Sequence, residues 1–335
     1  MEMNINSFPD FAKNALILWN MGAASVPQYA RSSGLFKTVP IPNETGNTRE
    51  FSEIETEEYA SRKGESDQAS RAKVQQGYTK IGKLYRIAKD VGVSFEWRTQ
   101  GKYPEIKNRL TNLGRLGENR IDLDLTHRIT FGASTYYTDQ DGVSVDVTVG
   151  DGLALFSTAH TLKASATTFR NILSGNAAFS QSALESMEKM RVENSFNQFG
   201  QKMTVQDDIL WSTDDPNTVN TIKIVLQSMG NTADYKNSAV VNPYVRKYNH
   251  VVLPRIATDK DGNVDSTKAK YWGVASSNLS TAYLGMHEEP HMKMPTPGSN
   301  AEEFSTDDWN FGTRAGYMVV IVSANWIGMS KGDAS

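Results

Sequence analysis

Charge is sorted by sign in one early stretch of the chain, and this constrains the fold more than any other feature. "REFSEIETEEY" carries Glu50, Glu53, Glu55, Glu57 and Glu58, whereas "RAKVQQGYTKIGKLYRIAK" carries Arg71, Lys73, Lys80, Lys83, Arg86 and Lys89 with no acid among them. Residues 78–87 are strand-like, with Ile81, Tyr85 and Ile87 on one face and Tyr78 and Leu84 on the other. The "RKGESDQAS" between the blocks is turn material, so the two blocks predict a long hairpin. Arms of about 15 residues at roughly 3.3 Å per residue span about 50 Å, whereas a compact chain of this length has a radius of gyration near ~20 Å. A lone two-stranded ribbon is marginal in water and its edges invite pairing. The expectation is a ribbon that leaves its own domain and lies on another chain. The competing expectation is a ribbon folded back on its own domain with its charges merely solvated.

The rest of the chain is large enough to anchor such a ribbon: 335 residues can bury a real core and would ordinarily form two or so domains. With 35 basic and 38 acidic residues the net charge is -3, against the strongly basic face of a dedicated nucleic-acid binder. The absence of cysteine excludes disulfides, iron–sulfur clusters, thiol catalysis and cysteine zinc sites. "NALILWNMGAAS" follows Glu2 and Asp10 and is interrupted by Asn20, which predicts a buried or docking segment rather than a secretory signal. "AGYMVVIVSANWIGM", residues 315–329, is uncharged but too short for a membrane helix, and its valines predict a buried strand. A soluble protein is expected.

Pro9, Pro27, Pro40 and Pro42 punctuate the first 45 residues, which read as an extended arm lying on something else. From Tyr103 the pattern becomes helical: Pro104 suits the first turn, and Ile106, Leu110, Leu113, Gly117, Ile121 and Leu125 recur at helical spacing. Gly114 and Gly117 weaken that helix and imply close approach by another element, or a bend. "SALESMEKM" predicts a helix capped by Ser182 and Glu185 with Leu184, Met187 and Met190 inward. "DDPNTVNTIKIVLQSM" predicts another, capped by Asp215, opened by Pro216 and striped by Val219, Ile222, Leu226 and Met229. "GVSVDVTVG", "NHVVLPRI" and "KYWGVASSN" read as strands. Few long helices among many strands, without regular alternation, is an α+β pattern.

Catalytic signals are sparse. "HEEPH" matches H-E-x-x-H, in which His287 and His291 would hold zinc and Glu288 would activate water from one helical turn. Pro290 inside the pattern opposes a helix and predicts an irregular loop. "DQDG" at 139–142 and "DKDGNVD" at 259–265 lack the spacing and closing glutamate of a calcium loop and read as hairpin turns. "LFSTAH" sets Ser157 near His160 without the glycines of a nucleophile elbow. No glycine-rich phosphate cradle follows a strand. No cofactor, metal or catalytic residue is assigned.

The order of these parts, with "GLALFSTAHTL", "QSALESMEKM", "ILWSTDDPNTVNTIKIVL" and the closing "FGTRAGYMVVIVSANWIGMSKG", resembles the major capsid proteins of tailed bacteriophages, particularly the Mu-like head subunits. The shared landmarks run from Leu155 to His160, from Trp272 through Gly285 and Glu289, and from Trp326 to Gly328. The resemblance implies the tailed-phage capsid fold: an N-terminal arm (1–45), an extended β-hairpin loop (46–92), a peripheral domain on a long spine helix (93–204 and 311–335, helix about 103–128), and an axial domain (205–310). It places "HEEPH" in an axial-domain loop and returns the apolar strand 315–329 to the peripheral domain. No long coiled-coil-like N-terminal region is present, so the resemblance implies a separate scaffolding protein.

The implied function is structural rather than enzymatic: self-assembly as hexamers and pentamers into an icosahedral virion shell in the host cytoplasm. A portal, packaged double-stranded DNA without sequence-specific contact and no membrane complete the picture. Candidate subunit contacts are Glu50, Glu53, Glu55, Glu57 and Glu58 toward basic surface, and Arg71, Lys73, Lys80, Lys83 and Arg86 toward acidic surface. Mild net acidity suits a container that must not grip DNA tightly. The alternatives are an encapsulin-like compartment shell of the same fold and, more remotely, a zinc metalloprotease acting through His287, Glu288 and His291.

Overall fold

The computed structural model describes residues 8–42, 46–228, 242–294 and 307–333. In chain order its elements begin with α1 (Phe8–Ala24), β1 (Lys37–Pro40), β2 (Thr48–Thr56), β3 (Val74–Lys83), β4 (Tyr85–Val93), α2 (Phe95–Thr99) and α3 (Tyr103–Thr130). The short pairs β5 (Tyr136–Thr138) with β6 (Ser144–Asp146) and β7 (His160–Thr161) with β8 (Thr168–Phe169) follow, then α4 (Gln181–Glu193), β9 (Ile209–Ser212) and α5 (Pro216–Gln227). The remainder is β10 (Asn249–Val252), β11 (Trp272–Ala275), β12 (Ala282–Lys293), β13 (Trp309–Ile321) and β14 (Ile327–Ser330). The fold class is α+β, as the residue pattern implies.

Two four-stranded sheets organise the molecule. The first has the order β1-β12-β13-β4, with β1 parallel to β12 and the other neighbours antiparallel. One of its faces packs under α3, where Ile121, Leu125 and Ile129 share a core with Leu284, Ala315, Tyr317 and Val319. The opposite face, through Met318, Val320 and Val322, packs with Ile41 and Phe51. The second sheet, β10-β9-β11-β14, has β9, β11 and β14 buried along their whole lengths. Leu210, Trp272 and Val274 meet Leu184 and Met187 of α4 and Ile222 and Leu226 of α5. Ile209, Trp211, Ala275 and Ile327 look the other way, into the core shared with α3. Burial on both faces explains why "ILW" and "WGVA" are continuous apolar runs rather than alternating ones.

α3 runs for 28 residues with Pro104 in its first turn, two residues beyond the expected end; at about 1.5 Å per residue it is roughly 42 Å long. The close approach implied by its glycines is real. A Cβ at Gly114 would collide with the Trp19 carbonyl, a Cβ at Gly22 would collide with that of Thr111, and Gly117 faces Pro290 and Thr313. Only glycine lets the α1 and α3 backbones meet in this way.

Several expectations are corrected. The first 45 residues are not simply an extended arm: α1 docks Phe11, Ala15, Leu18 and Trp19 onto Ile106, Leu110 and Leu113. The cap of α4 is Ser180, whose hydroxyl accepts from the Ala183 N–H at 3.1 Å, rather than Ser182. α5 is capped by Asp215 as expected, accepting from the Thr218 N–H at 2.9 Å; Met229 of its expected stripe lies outside the described residues. The apolar run 315–329 is two strands in different sheets, β13 in the first and β14 in the second. "GVSVDVTVG" contributes only three residues to a ladder, and Val147 and Val149 are buried beyond it. The two acidic turns close tight hairpin loops: Asp139 Oδ1 accepts from the N–H groups of Asp141 and Val143, Asp259 Oδ1 from those of Asp261 and Asn263, with Gly142 and Gly262 at positive φ.

Candidate assembly interface

β2 and β3 form the expected hairpin as a separate two-stranded ladder, from Thr48 opposite Lys83 to Thr56 opposite Val74, with a bulge between Ser52 and Ile54. It is shorter than its composition implies. β2 has nine residues and β3 ten, giving a ladder of about 30 Å. At Leu84 the chain leaves the ladder: its N–H donates to the Asn47 carbonyl at 2.9 Å and its side chain joins the cluster of Ile41, Phe51 and Met318. The next residues are β4, paired with β13. Arg86 therefore belongs to the first sheet, not to the hairpin.

The ribbon's base does fold back on its own body, so the expectation that the whole hairpin stands clear is corrected. Phe51 stacks on Tyr283 at 5.1 Å, and Gly82 sits so close to Val320 and Met318 that a Cβ would overlap them. Polar contacts continue along it. Lys80 Nζ donates to Asp146 Oδ2 at 2.6 Å and to Thr148 Oγ1 at 2.5 Å, Tyr78 bonds Thr161 at 2.9 Å, and Lys163 Nζ donates to the Gly77 carbonyl at 3.0 Å. Gln198 donates through its backbone N–H to Glu55 Oε2 at 2.6 Å and through Nε2 to Glu53 Oε2 at 3.2 Å. Burial, then the neighbouring Glu55, push the Glu53 carboxyl up to about 7; burial raises Glu55 as well.

The tip is different. Every residue from 58 to 74 is exposed. Glu58 N–H still reaches Gln201 Oε1 at 2.9 Å and Tyr59 OH the Lys202 carbonyl at 3.5 Å. Beyond them, the hydrogen bonds among described residues 60–72 are internal, between Gly64 and Asp67.

The ten candidate contact residues thus divide. Glu53 and Glu55 face Gln198, Lys80 faces Asp146, and Lys73 pairs with Glu57 at 3.7 Å within the ribbon. Glu50, Glu58, Arg71, Lys83 and Arg86 have no ion pair among the described residues. Charge counting passed over the apolar side chains interleaved with these groups. Ile54 is 69% exposed, Tyr59 64%, and Val74 and Ile81 62% each. The charged neighbours of Ile54 in β2 and of Val74 and Ile81 in β3, and Tyr59 directly after Glu57 and Glu58, were the available signal.

The catalysis-like motifs are differently arranged. "HEEPH" is neither a helix nor a loop but part of β12, where the ladder to β13 slips between Met286 and Glu288 and again between Glu288 and His291. Pro290 is tolerated because it sits in this irregularity. Glu288 meets Arg314 at 3.1 Å and His291 at 3.5 Å, and Glu289 meets Arg31 at 2.7 Å. Among the described residues no three His, Asp or Glu side chains are placed to hold a metal ion. The His160 ring bonds Asp151 at 2.8 Å and the Leu155 carbonyl at 3.2 Å, so neither nitrogen serves Ser157.

No protein-family model and no curated protein matches the chain. Among solved structures it is similar to a chain of the procapsid of bacteriophage JBD30, with 11% identity over 98% of this chain and 76% of that one and a TM-score of 0.48. It is also similar to a chain of Gordonia phage Cozz, with 14% identity over 91% and 89% and a TM-score of 0.47. A virus-like particle from Pyrococcus furiosus gives 9% identity over 95% and 97%, with a TM-score of 0.47.

Proposed function

We propose that this chain is a structural shell subunit, the major capsid protein of a tailed phage, which closes an icosahedral shell around double-stranded DNA by covering its ribbon with neighbouring copies. The observation that carries this reading is the ribbon's apolar surface: Ile54, Val74 and Ile81 on the ladder and Tyr59 just beyond it, each more than 60% exposed, with a tip at residues 60–72 whose hydrogen bonds among the described residues are internal. Apolar surface on an open-edged ribbon calls for a partner. A shell of identical copies supplies one at every position, and multiplicity does the rest. Contacts near the millimolar range contribute only about -4 kcal/mol each, yet a subunit engaging several neighbours gains through effective concentration.

On this reading the copies meet as hexamers and pentamers, a separate scaffolding protein and a portal take part, and DNA is enclosed without sequence-specific contact. Its place is the virion. No helix among the described residues is long and apolar enough to cross a membrane. The mapping into arm (1–45), extended loop (46–92), peripheral domain (93–204 and 311–335) and axial domain (205–310) belongs to the same proposal. Within "HEEPH", Glu288 pairs with Arg314 and Glu289 with Arg31, contacts that tie this part of β12 to β13 and to the N-terminal segment.

Electron microscopy of the purified protein tests the reading. Closed icosahedral particles are expected, and the double variant Ile54→Lys/Ile81→Lys should remain folded and unassembled. Wild-type protein that stays monomeric at every concentration, or particles formed normally by the double variant, would overturn it. Nuclease-protected DNA inside particles purified from an infected host identifies a phage head, and enclosed protein an encapsulin-like compartment.

A further inference from the structure

A cleft of about 440 Å³ opens beside β4, walled by that strand, by α3 and by the β5–β6 hairpin. Its size lies within the range of about 300–1,000 Å³ typical of small-molecule pockets. Strand register gives its direction. Lys89 lies opposite Thr313, which faces Gly117 of α3, and Tyr85 lies opposite Tyr317, whose hydroxyl donates to Asp124. The cleft therefore follows α3 from Gly117 toward Arg128, a run of roughly 16 Å at about 1.5 Å per residue.

Two properties of the lining specify a class of ligand. One is charge. The cleft's carboxylates are committed, since Asp124, Asp139 and Asp141 all lie on Arg120, at 3.0, 2.9 and 2.9 Å. Its other cations, Arg86, Lys89 and Arg128, take part in no ion pair among the described residues. Arg128 is only 6% exposed; its Nη1 donates to the Asp146 carbonyl, and its Nε has no acceptor among the described residues. A buried charge that meets only a neutral carbonyl is costly, and an anion in the cleft offsets that cost. The second property is apolar surface: Leu116 on α3 is 43% exposed and Val143 beside β6 49%, with the half-buried Ile87 on the third wall.

We propose that this cleft binds a small amphiphilic anion, with a single carboxylate or phosphate head between Arg86 and Arg128 and an apolar body along Ile87, Leu116 and Val143. Carboxylate and phosphate are the acceptors that guanidinium groups match best, through charge-assisted hydrogen bonds. Neither half of such a molecule suffices. A head alone leaves Leu116 and Val143 in water, and a body alone leaves Arg128 without a counter-charge. The site uses neither the ribbon nor a second copy, so it stands independently of the shell reading.

Isothermal titration of the purified full-length protein tests it. Octanoate and octyl phosphate are the probes, and the comparison between them assigns the preferred head. Octanol supplies the body without charge, and acetate and inorganic phosphate supply the heads without a body. Saturable binding of one molecule per chain is expected for at least one probe, with much weaker binding of all three controls. Arg128→Leu removes the buried charge but can also unfold the chain, so the deciding variants are Arg86→Gln and Leu116→Glu, at exposed positions, which should melt as the wild type does. Each should weaken binding by about tenfold or more, through loss of one charge-assisted contact or through added repulsion. No saturable binding of either probe, equal binding of octanol, or unchanged affinity in either variant would overturn the assignment.

Discussion

Glu53 and Gln198 face each other at the foot of the ribbon, Oε2 to Nε2 at 3.2 Å, while the Gln198 backbone N–H holds Glu55 at 2.6 Å. One glutamine thus ties two carboxyl groups that burial makes reluctant to ionise. With Lys80 on Asp146, this contact fixes how firmly the ribbon lies on its own body.

The docked ribbon should loosen as pH rises. Glu53 is raised from 4.5 to about 7, so docking favours its protonated form. That stabilisation is complete below the ordinary value and is lost as pH climbs through about 7. Amide exchange in β2 and β3 of unassembled protein, corrected for intrinsic rates, should be faster at pH 8 than at pH 6. Glu53→Gln should reduce the difference and Glu53→Gln/Glu55→Gln should abolish it, and equal protection of the wild type at both pH values would contradict the assignment.

Arg191 and Asp207 form a buried two-point ion pair, with distances of 3.1 and 3.0 Å, and Arg191 also donates to the Asn325 carbonyl at 2.8 Å. Arg191→Leu strands the carboxylate and should cost about 3–5 kcal/mol in urea unfolding of the monomer. The double change Arg191→Leu/Asp207→Leu should recover much of that loss. A single variant within about 1 kcal/mol of wild type would mean that the pair is dispensable.

Gly114→Ala sets two effects against each other. In an exposed helix the change should stabilise by about 1 kcal/mol. Here the new methyl meets the Trp19 carbonyl, and overpacking of this kind costs roughly 1–3 kcal/mol. The expected outcome is a lower melting temperature with faster proteolysis of α1. A higher melting temperature would show that α1 moves aside without penalty.

Where local rules decide the structure, the residues announce it. Pro104 opens α3, Asp215 and Pro216 open α5, and the aspartate–glycine turns close their hairpins. Where partner choice decides, they do not. Residues 78–91 have one continuous strand-like composition, yet β3 pairs with β2 and β4 with β13, a handover set by Leu84 entering a distant cluster. α1 was obscured because Leu16, Ile17 and Met21 are apolar and exposed, which blurs the stripe of Phe11, Ala15, Leu18 and Trp19. The acidic and basic blocks marked the ribbon, but not which charges its own body would occupy: Lys80 finds Asp146 66 residues away.

Leu84 alone separates β3 from β4, so the projecting ribbon and the main sheet are one nearly unbroken strand. The ribbon is therefore joined to β4, and through it to the sheet beneath α3, by a single residue anchored in the Ile41, Phe51 and Met318 cluster and not by a slack linker.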